Sequence, residues 1–168
     1  MLPLWWCAVK IVIMEITKVI FLDFDGPMIP FRNWVLAPLA TQKYEKFDPI
    51  AVATILAALT NSGAKLVISS SWREIGYDEI CKVLEMNGIS KDCLHQDWAT
   101  ANLVDHSMAD RPIEIRAWLF KHSEIQKYVV IDDAKMEIDN LVHVSSEDGI
   151  LYKHQLEIFK LLGAPLSN

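Results

Sequence analysis

The sequence predicts a three-layer α/β/α sandwich around a central parallel sheet. Two observations carry this prediction. Short apolar runs typical of buried strands alternate with segments that have helical start and stop residues, and three of the apolar runs end in polar clusters. With 168 residues and a hydrophobic content of 52%, the chain is long enough for one domain with a sizeable core.

The first predicted strand lies in VIFLDFDG, residues 19–26. Successive side chains of a strand point to opposite faces, so Asp23 and Asp25 leave on one side while Phe24 takes the other. The strand end therefore directs two carboxylates into one small volume.

The next elements are a loop, a helix and a second strand. Residues 27–47 show no steady period and predict a loop with a short hairpin or flap. Asp48 can cap a helix that begins with Pro49 and ends at Gly63, where glycine can take a left-handed conformation. Residues 65–69, KLVIS, then predict a short buried strand.

The second half repeats this alternation. Residues 89–110 are polar and irregular and predict a long connection. Pro112 can open a helix whose apolar face is Ile113, Ile115, Trp118 and Leu119. The remaining predicted elements are a helix at 77–86, strands at 128–133 and 141–144, and a final helix at 152–162 that Gly163 ends.

Bulk properties limit the possible environment and partners. A formal net charge of −6 gives no electrostatic footprint for non-specific nucleic-acid binding, so a polyanionic substrate needs local positive groups. Cys7, Cys81 and Cys93 form no CxxC pair and no even framework, which favours a reducing, cytoplasmic location.

The first 13 residues are expected to be an extension of a single domain at 14–168. Their apolar run is broken at Lys10 and is too short for a membrane anchor, so no membrane association is expected. A packed extra strand is the other alternative.

Polar clusters follow three of the predicted strands: Asp23 with Asp25, the serine run 69–71, and Asp132 with Asp133. Ligands of an open parallel sheet bind beyond the carboxyl ends of its strands. Four carboxylates in one cleft repel each other unless a cation relieves them, and oxygen ligands favour magnesium, which often completes its shell with phosphate. The pattern therefore predicts a magnesium-dependent phosphate site.

These residues resemble the motifs of the haloacid-dehalogenase-like (HAD) superfamily of phosphohydrolases over about residues 18–162. VIFLDFDG resembles its first motif, VISSSW its second and VVIDDAKMEID its fourth. The third motif is usually a lysine at the start of a helix; here Arg111 holds the matching position, and Lys121 is the alternative. The combination of SSSWR, EIRAWL, IDD and DGILYKHQLEIFKLL is similar to the HAD domain of RNA-repair proteins.

The resemblance implies a Rossmann-like, HAD-like fold and phosphomonoester hydrolysis through an aspartyl-phosphate. It makes Asp23 the nucleophile and Asp25 the general acid and base. Ser69, or Ser70 in the alternative register, is expected to hydrogen-bond a phosphoryl oxygen while Arg111 counters its charge. The implied magnesium ligands are Asp23, Asp25 through its backbone carbonyl, Asp132 and Asp133, with Glu137 as support.

Three further positions lie in or next to these motifs. Gly26 completes the first motif and is expected to contact the substrate. Arg73 is a candidate for a second phosphate or a nucleic-acid backbone, against a surface ion pair with Glu74 or Asp78. Trp72 can stack a base, although core packing is favoured for this aromatic-rich chain. The five histidines show no metal-ligand spacing and receive no role.

The intervals between the motifs bear on the substrate. Neither 26–68 nor 70–110 leaves room for a full cap domain, so an open cleft is expected. The resemblance then favours a large phosphorylated substrate, with polynucleotide ends leading, unless oligomerisation supplies a cap. A protein or small-metabolite phosphatase, favoured by the acidic charge, and a non-catalytic phosphate-binding module, favoured by the missing lysine, are the alternatives.

Overall fold

The protein, described here as a computed structural model, forms one parallel five-stranded sheet flanked by helices. The structure describes residues 16–36, 47–101 and 110–165, so the predicted extension at 1–13 lies outside the described residues. The strands are β1 (Lys18–Leu22), β2 (Lys65–Ile68), β3 (Leu94–Ala99), β4 (Lys127–Asp132) and β5 (Leu141–His143). The helices are α1 (Phe31–Leu36), α2 (Pro49–Ser62), α3 (Tyr77–Met86), α4 (Arg111–Lys121) and α5 (Tyr152–Leu162).

The sheet order is β3-β2-β1-β4-β5, and every pairing is parallel. Helices α2, α3 and α5 cover one face of the sheet and contribute to the larger core. Helix α4 covers the other face over a smaller core, named here the α4-side core. This architecture confirms the predicted three-layer α/β/α sandwich. The α4-side core consists of Val19, Phe21, Val67, Ile115, Trp118 and Val130.

Local sequence preferences explain where α2 begins and ends. The Asp48 carboxylate accepts hydrogen bonds from the backbone amides of Ile50 (2.9 Å) and Ala51 (3.2 Å), and Pro49 occupies the first turn, where no amide donor is needed. Gly63 ends the helix with a φ of 71°. The predicted caps of α2 are confirmed, and α3 and α5 have the predicted bounds.

The prediction of an irregular connection at 89–110 is wrong in part, because Leu94–Ala99 forms the edge strand β3. Its sequence, LHQDWA, has little apolar alternation. Pairing with the buried strand β2 stabilises the extended conformation, with an irregular register between Leu66 and Ile68. Tertiary pairing here outweighs a weak local preference.

Two smaller predictions also need correction. The region 27–47, expected to be a loop, contains helix α1, whose first amides donate to the backbone carbonyls of Ser146 and Glu147. A distant turn thus supplies the cap that the local sequence lacks. Ile113, expected on the buried face of α4, is 51% exposed, because the residues spaced to face the sheet are Arg111, Ile115 and Trp118.

The strand order reverses between β1 and β4, and this is the position where open α/β sheets bind ligands. Leu22 at the end of β1 lies beside Ile68 of β2 on one side and Ile131 of β4 on the other. The next residues are Asp23 and Ser69, which directly follow β1 and β2, and Asp132, which ends β4 beside His143 of β5. The fold therefore brings the ends of three strands together at one cleft.

Candidate active site

A polar cluster lies at the carboxyl ends of three strands, on the same face of the sheet as the α4-side core. It consists of Asp23 and Ser69, which follow β1 and β2, and Asp132, which ends β4. In each strand the buried residue two positions earlier packs under α4, so the period of two places these polar side chains on the same face. All three are buried, at 4%, 0% and 0% exposure. The register thus turns three separate sequence positions into one polar cluster.

Arg111 is the first residue of α4 and lies over this cluster. Its Nη1 atom is 3.0 Å from Oδ2 of Asp23 and 2.5 Å from Oδ2 of Asp132. Burial disfavours the charged guanidinium, but the two carboxylates outweigh burial and raise the pKa of Arg111. Lys121, the alternative from sequence, lies at the other end of α4 and pairs with Asp97 at 2.8 Å. Of these two cations, Arg111 is the one at the cluster.

Burial makes the carboxyl groups of this cluster reluctant to ionise. It raises the pKa of Asp23 from 3.8 to about 6, and the neighbouring Asp132 adds to the effect while Arg111 and Ser70 oppose it. The pKa of Asp132 is also raised, mainly by burial. Burial and the Asp23 charge likewise raise the pKa of Asp133. One guanidinium therefore does not balance the charge of three carboxylates.

The carboxylates of Asp23, Asp132 and Asp133 fit a divalent cation. One oxygen from each lies within 4.8 Å of the others, and the set contains only oxygen donors, as magnesium prefers. The Asp25 carboxylate is outside this trio, which leaves its backbone carbonyl as the ligand expected from sequence. Glu137 is exposed, and among the described residues it is not part of the acidic cluster.

Gly26 is required by two features of its position. Its φ of 88° lies in the region that favours glycine. A Cβ atom built there would lie 2.5 Å from both Cγ and Oδ2 of Asp133. The missing side chain therefore lets the loop after β1 approach the acidic pair after β4.

The serine run offers two different hydroxyl groups. Ser69 extends the ladder through its amide, which donates to the carbonyl of Leu22, and its buried Oγ has no hydrogen-bond partner. Ser70 hydrogen-bonds the Asp23 carboxylate and also accepts from the amide of Trp72 at 3.3 Å. Ser69 therefore has an unused hydroxyl, whereas Ser70 already contacts the candidate nucleophile.

Asp25 leaves the same loop but points to a different partner. Its side chain is exposed, and Oδ2 accepts a hydrogen bond of 2.8 Å from the indole Nε1 of Trp72. The Trp72 ring is partly buried and meets Phe24 edge-on, with ring centroids 5.7 Å apart. The expected core role of Trp72 is thus joined by a polar contact with a candidate catalytic residue.

Arg73 and Glu114 form a buried brace between the serine run and α4, a contact that sequence reasoning missed. Nη1 of Arg73 donates to the carbonyls of Ser69 (2.8 Å) and Ser70 (2.9 Å), and Nη2 lies 2.8 Å from Oε2 of Glu114. The brace holds Arg73 under the serine run. Glu114 lies about one helical turn after Arg111, and that spacing on a buried face was the available sequence clue.

Two of the described histidines, His95 and His122, lie in a cluster at the opposite end of α4 from Arg111. His122 has Asp97 on Nε2 and Glu124 on Nδ1, each at 2.9 Å, and its ring stacks on Trp118. Nδ1 of His95 accepts a hydrogen bond from the Asp97 amide. These contacts fasten α4 to β3 and lie away from the acidic cluster.

Comparison with known families matches residues 19–154 to the HAD domain in Swiss Army Knife RNA repair proteins. The chain belongs to this family. The match spans all four motif positions and most of the chain, and it agrees with the parallel sheet and its acidic switch point. No curated protein and no solved structure matched the chain.

Membership in this family confirms the HAD resemblance seen in the sequence. It indicates a phosphatase-type hydrolase. In the part of the chain that the structure describes, no helix has both the length and the apolar character needed to cross a bilayer.

Proposed function

We propose that this HAD domain is a magnesium-dependent phosphomonoester hydrolase that acts through an aspartyl-phosphate on Asp23, with polynucleotide ends as its substrate class. The observation that carries the proposal is the contact of Arg111 with both Asp23 and Asp132 at the switch point of the sheet, where Asp133 completes an oxygen-only trio. A buried cation among carboxylates is suited to binding a dianionic phosphoryl group.

In the first step a carboxylate oxygen of Asp23 attacks phosphorus. The new bond joins phosphorus to Asp23, and the bond from phosphorus to the leaving oxygen breaks. Asp25 donates a proton to that oxygen, which departs as an alcohol. Arg111 stabilises the charge on the phosphoryl oxygens and keeps Asp23 partly ionised despite burial.

In the second step water hydrolyses the aspartyl-phosphate. Asp25, now a carboxylate, removes a proton from the water as its oxygen bonds to phosphorus, and the bond to Asp23 breaks. Phosphate leaves and Asp23 is restored as a carboxylate. Asp25 thus alternates between acid and base. Its exposed side chain, two residues after the buried Asp23, supports this proposal.

Magnesium held by Asp23, Asp132, Asp133 and the backbone carbonyl of Asp25 would supply positive charge for the phosphoryl oxygens and for the ionised acids. The raised pKa values of the three carboxyl groups support this ligand set, because a cation removes the cost of their charge.

The serine run and the loop after β1 complete the proposed phosphate site. The Oγ of Ser69 has no hydrogen-bond partner, so it is available to donate to a phosphoryl oxygen. The side chain of Ser70 is already hydrogen-bonded to Asp23. Gly26 would bring backbone close to the substrate. The guanidinium of Arg73 donates to the backbone carbonyls of Ser69 and Ser70. Arg73 would therefore position the serine run more than contact the phosphate directly.

Family membership supports polynucleotide ends as the substrate, because the matched family is defined by RNA repair proteins. The predicted absence of a cap domain agrees with a large substrate. The acidic net charge of −6 favours the alternative, a protein or small-metabolite phosphatase. A direct comparison of substrates is therefore part of the test.

The test is phosphate release from an aryl phosphate, from RNA and DNA oligonucleotides phosphorylated at the 5′ or 3′ end, from a phosphopeptide and from a sugar phosphate. Each is assayed with magnesium and with chelator. Asp23→Asn is expected to abolish release, whereas Asp92→Asn, an exposed change of the same kind at the amino end of β3, is expected to have no effect.

Preference for oligonucleotide ends over the phosphopeptide and the sugar phosphate is the expected result. The reverse preference would keep the phosphatase and replace its substrate class. Phosphate binding by wild type without any release would favour the non-catalytic module, and full activity of Asp23→Asn would refute the proposed nucleophile.

The two serines are separated by paired alanine variants. Ser69→Ala removes a buried hydroxyl without a partner, so stability is expected to hold or rise while activity falls. Ser70→Ala removes contacts with Asp23 and with the Trp72 amide, so stability and activity are expected to fall together. Unchanged kcat/KM in Ser69→Ala would assign the phosphoryl contact to Ser70.

A further inference from the structure

We propose that Trp72 is the positioning residue for proton transfer by Asp25, an inference that rests on the proposed function. The Asp25 carboxylate is exposed at the cleft, where a free aspartate side chain would sample several rotamers. The indole N–H of Trp72 fixes Oδ2 at 2.8 Å. This bond selects one orientation of the carboxylate beside Asp23.

The donor is itself held firmly. The Trp72 ring meets Phe24 edge-on, and Phe24, which lies between the two catalytic aspartates in sequence, is fully buried. The Trp72 backbone amide donates to Oγ of Ser70, which in turn contacts Asp23. The indole is therefore anchored to the same core and the same serine that position the nucleophile.

An indole N–H donates a hydrogen bond but neither ionises nor accepts a proton near neutral pH. Trp72 therefore does not replace Asp25 as acid or base. With Oδ2 engaged by Trp72, Oδ1 is the oxygen that serves the leaving group and then the water. Loss of the N–H is expected to leave the site assembled and the proton transfers poorly oriented.

This role has a kinetic signature, because the two steps need Asp25 differently. The ratio kcat/KM reports the reaction up to departure of the leaving group, which needs an acid only when the leaving oxygen is strongly basic. Hydrolysis of the aspartyl-phosphate needs Asp25 as a base whatever the substrate was. p-Nitrophenyl phosphate and benzyl phosphate have similar size but very different leaving groups, so the pair separates the two steps.

The experiment compares wild type with Trp72→Phe, which keeps a ring against Phe24 and removes the N–H. With magnesium, kcat/KM for benzyl phosphate is expected to fall about tenfold, a part of the roughly 10²- to 10⁴-fold that acid–base catalysis contributes. For p-nitrophenyl phosphate, kcat/KM is expected to stay within about twofold while kcat falls. Aspartyl-phosphate trapped by rapid acid quench should accumulate in the variant.

The matched control is Trp98→Phe, the same change at another partly buried tryptophan, whose ring packs against Tyr77. It is expected to leave the ratio between the two substrates unchanged. Equal losses of kcat/KM on both substrates in Trp72→Phe, or no loss, would overturn the positioning role while leaving the phosphatase intact. A wild-type protein that hydrolyses neither these compounds nor the phosphorylated oligonucleotides would overturn the proposed function and this inference with it.

Discussion

Replacing Asp23 by asparagine is expected to stabilise the metal-free protein while abolishing turnover. Asparagine keeps the shape of the side chain but removes a buried charge. The pKa of Asp23 is raised from 3.8 to about 6, so the folded state binds the proton more tightly than the unfolded chain. At about 1.4 kcal/mol for each pH unit, the difference corresponds to about 3 kcal/mol of destabilisation when Asp23 is ionised.

The sign of this effect sets its pH window. A raised folded-state pKa contributes stability below 3.8 that is lost as the pH rises through about 6. The advantage of Asp23→Asn in chelator is therefore expected to approach about 3 kcal/mol at pH 8 and to be about half as large at pH 5. Magnesium should narrow the gap, since it stabilises the ionised wild-type carboxylate.

Urea denaturation measured at both pH values, with chelator and with magnesium, checks this prediction. Asp92→Asn serves as the control, because it removes an exposed carboxylate at the amino end of the edge strand β3, away from the acidic cluster. Equal or lower stability of Asp23→Asn at pH 8 in chelator would refute the reasoning. A gap that does not change with pH would show that shape, and not charge, separates the two proteins.

Three other perturbations test the surroundings of the site. Arg111→Met leaves two buried carboxylates without their cation and is expected to lower the free energy of unfolding by about 3 to 5 kcal/mol in urea denaturation at neutral pH. Arg111→Lys keeps the positive charge and should lower it less. Equal losses of stability in the two variants would show that the charge is not important. Gly26→Ala forces a Cβ against Asp133 at a φ of 88°. It is expected to lower the melting temperature and also to reduce the rise in melting temperature that magnesium causes. An unchanged response to magnesium would argue against the close approach of Gly26 to Asp133. His154 accepts a hydrogen bond from the Leu151 amide at 2.9 Å, and burial lowers its pKa, so the stability of the protein is expected to fall as the pH drops below about 6.5. His154→Gln should reduce the loss of stability between pH 7.5 and pH 5.5. An identical loss in the variant would exclude this histidine as its source.

The sequence alone predicted the layers of the fold and the residues that meet at its switch point. Strong local features made this possible: Asp48 and Gly63 bound α2, and Asp23 and Asp132 directly follow or end apolar strands. In a parallel sheet, positions at the carboxyl ends of strands converge whatever their separation along the chain. Residues with such positions are therefore predictable as a group.

What the sequence missed depends on contacts between distant segments. β3 forms because β2 offers a partner, and nothing in LHQDWA indicates it locally. In the sequence, nothing distinguishes Glu114 from an exposed charged residue of a helix. In the structure it is 4% exposed and forms an ion pair with Arg73. From the sequence, the expected partners of Arg73 were its near neighbours Glu74 and Asp78. In the folded protein it pairs with Glu114, which is 41 positions away along the chain.

The brace between Arg73 and Glu114 has a consequence for how the site responds to heat. It ties the end of β2 to the start of α4, so the hydroxyls of the serine run and the guanidinium of Arg111 belong to one cooperative unit. Partial melting of the cleft alone would leave a buried charge unpaired. Thermal inactivation and global unfolding should therefore coincide, with the site persisting until the whole sheet is lost.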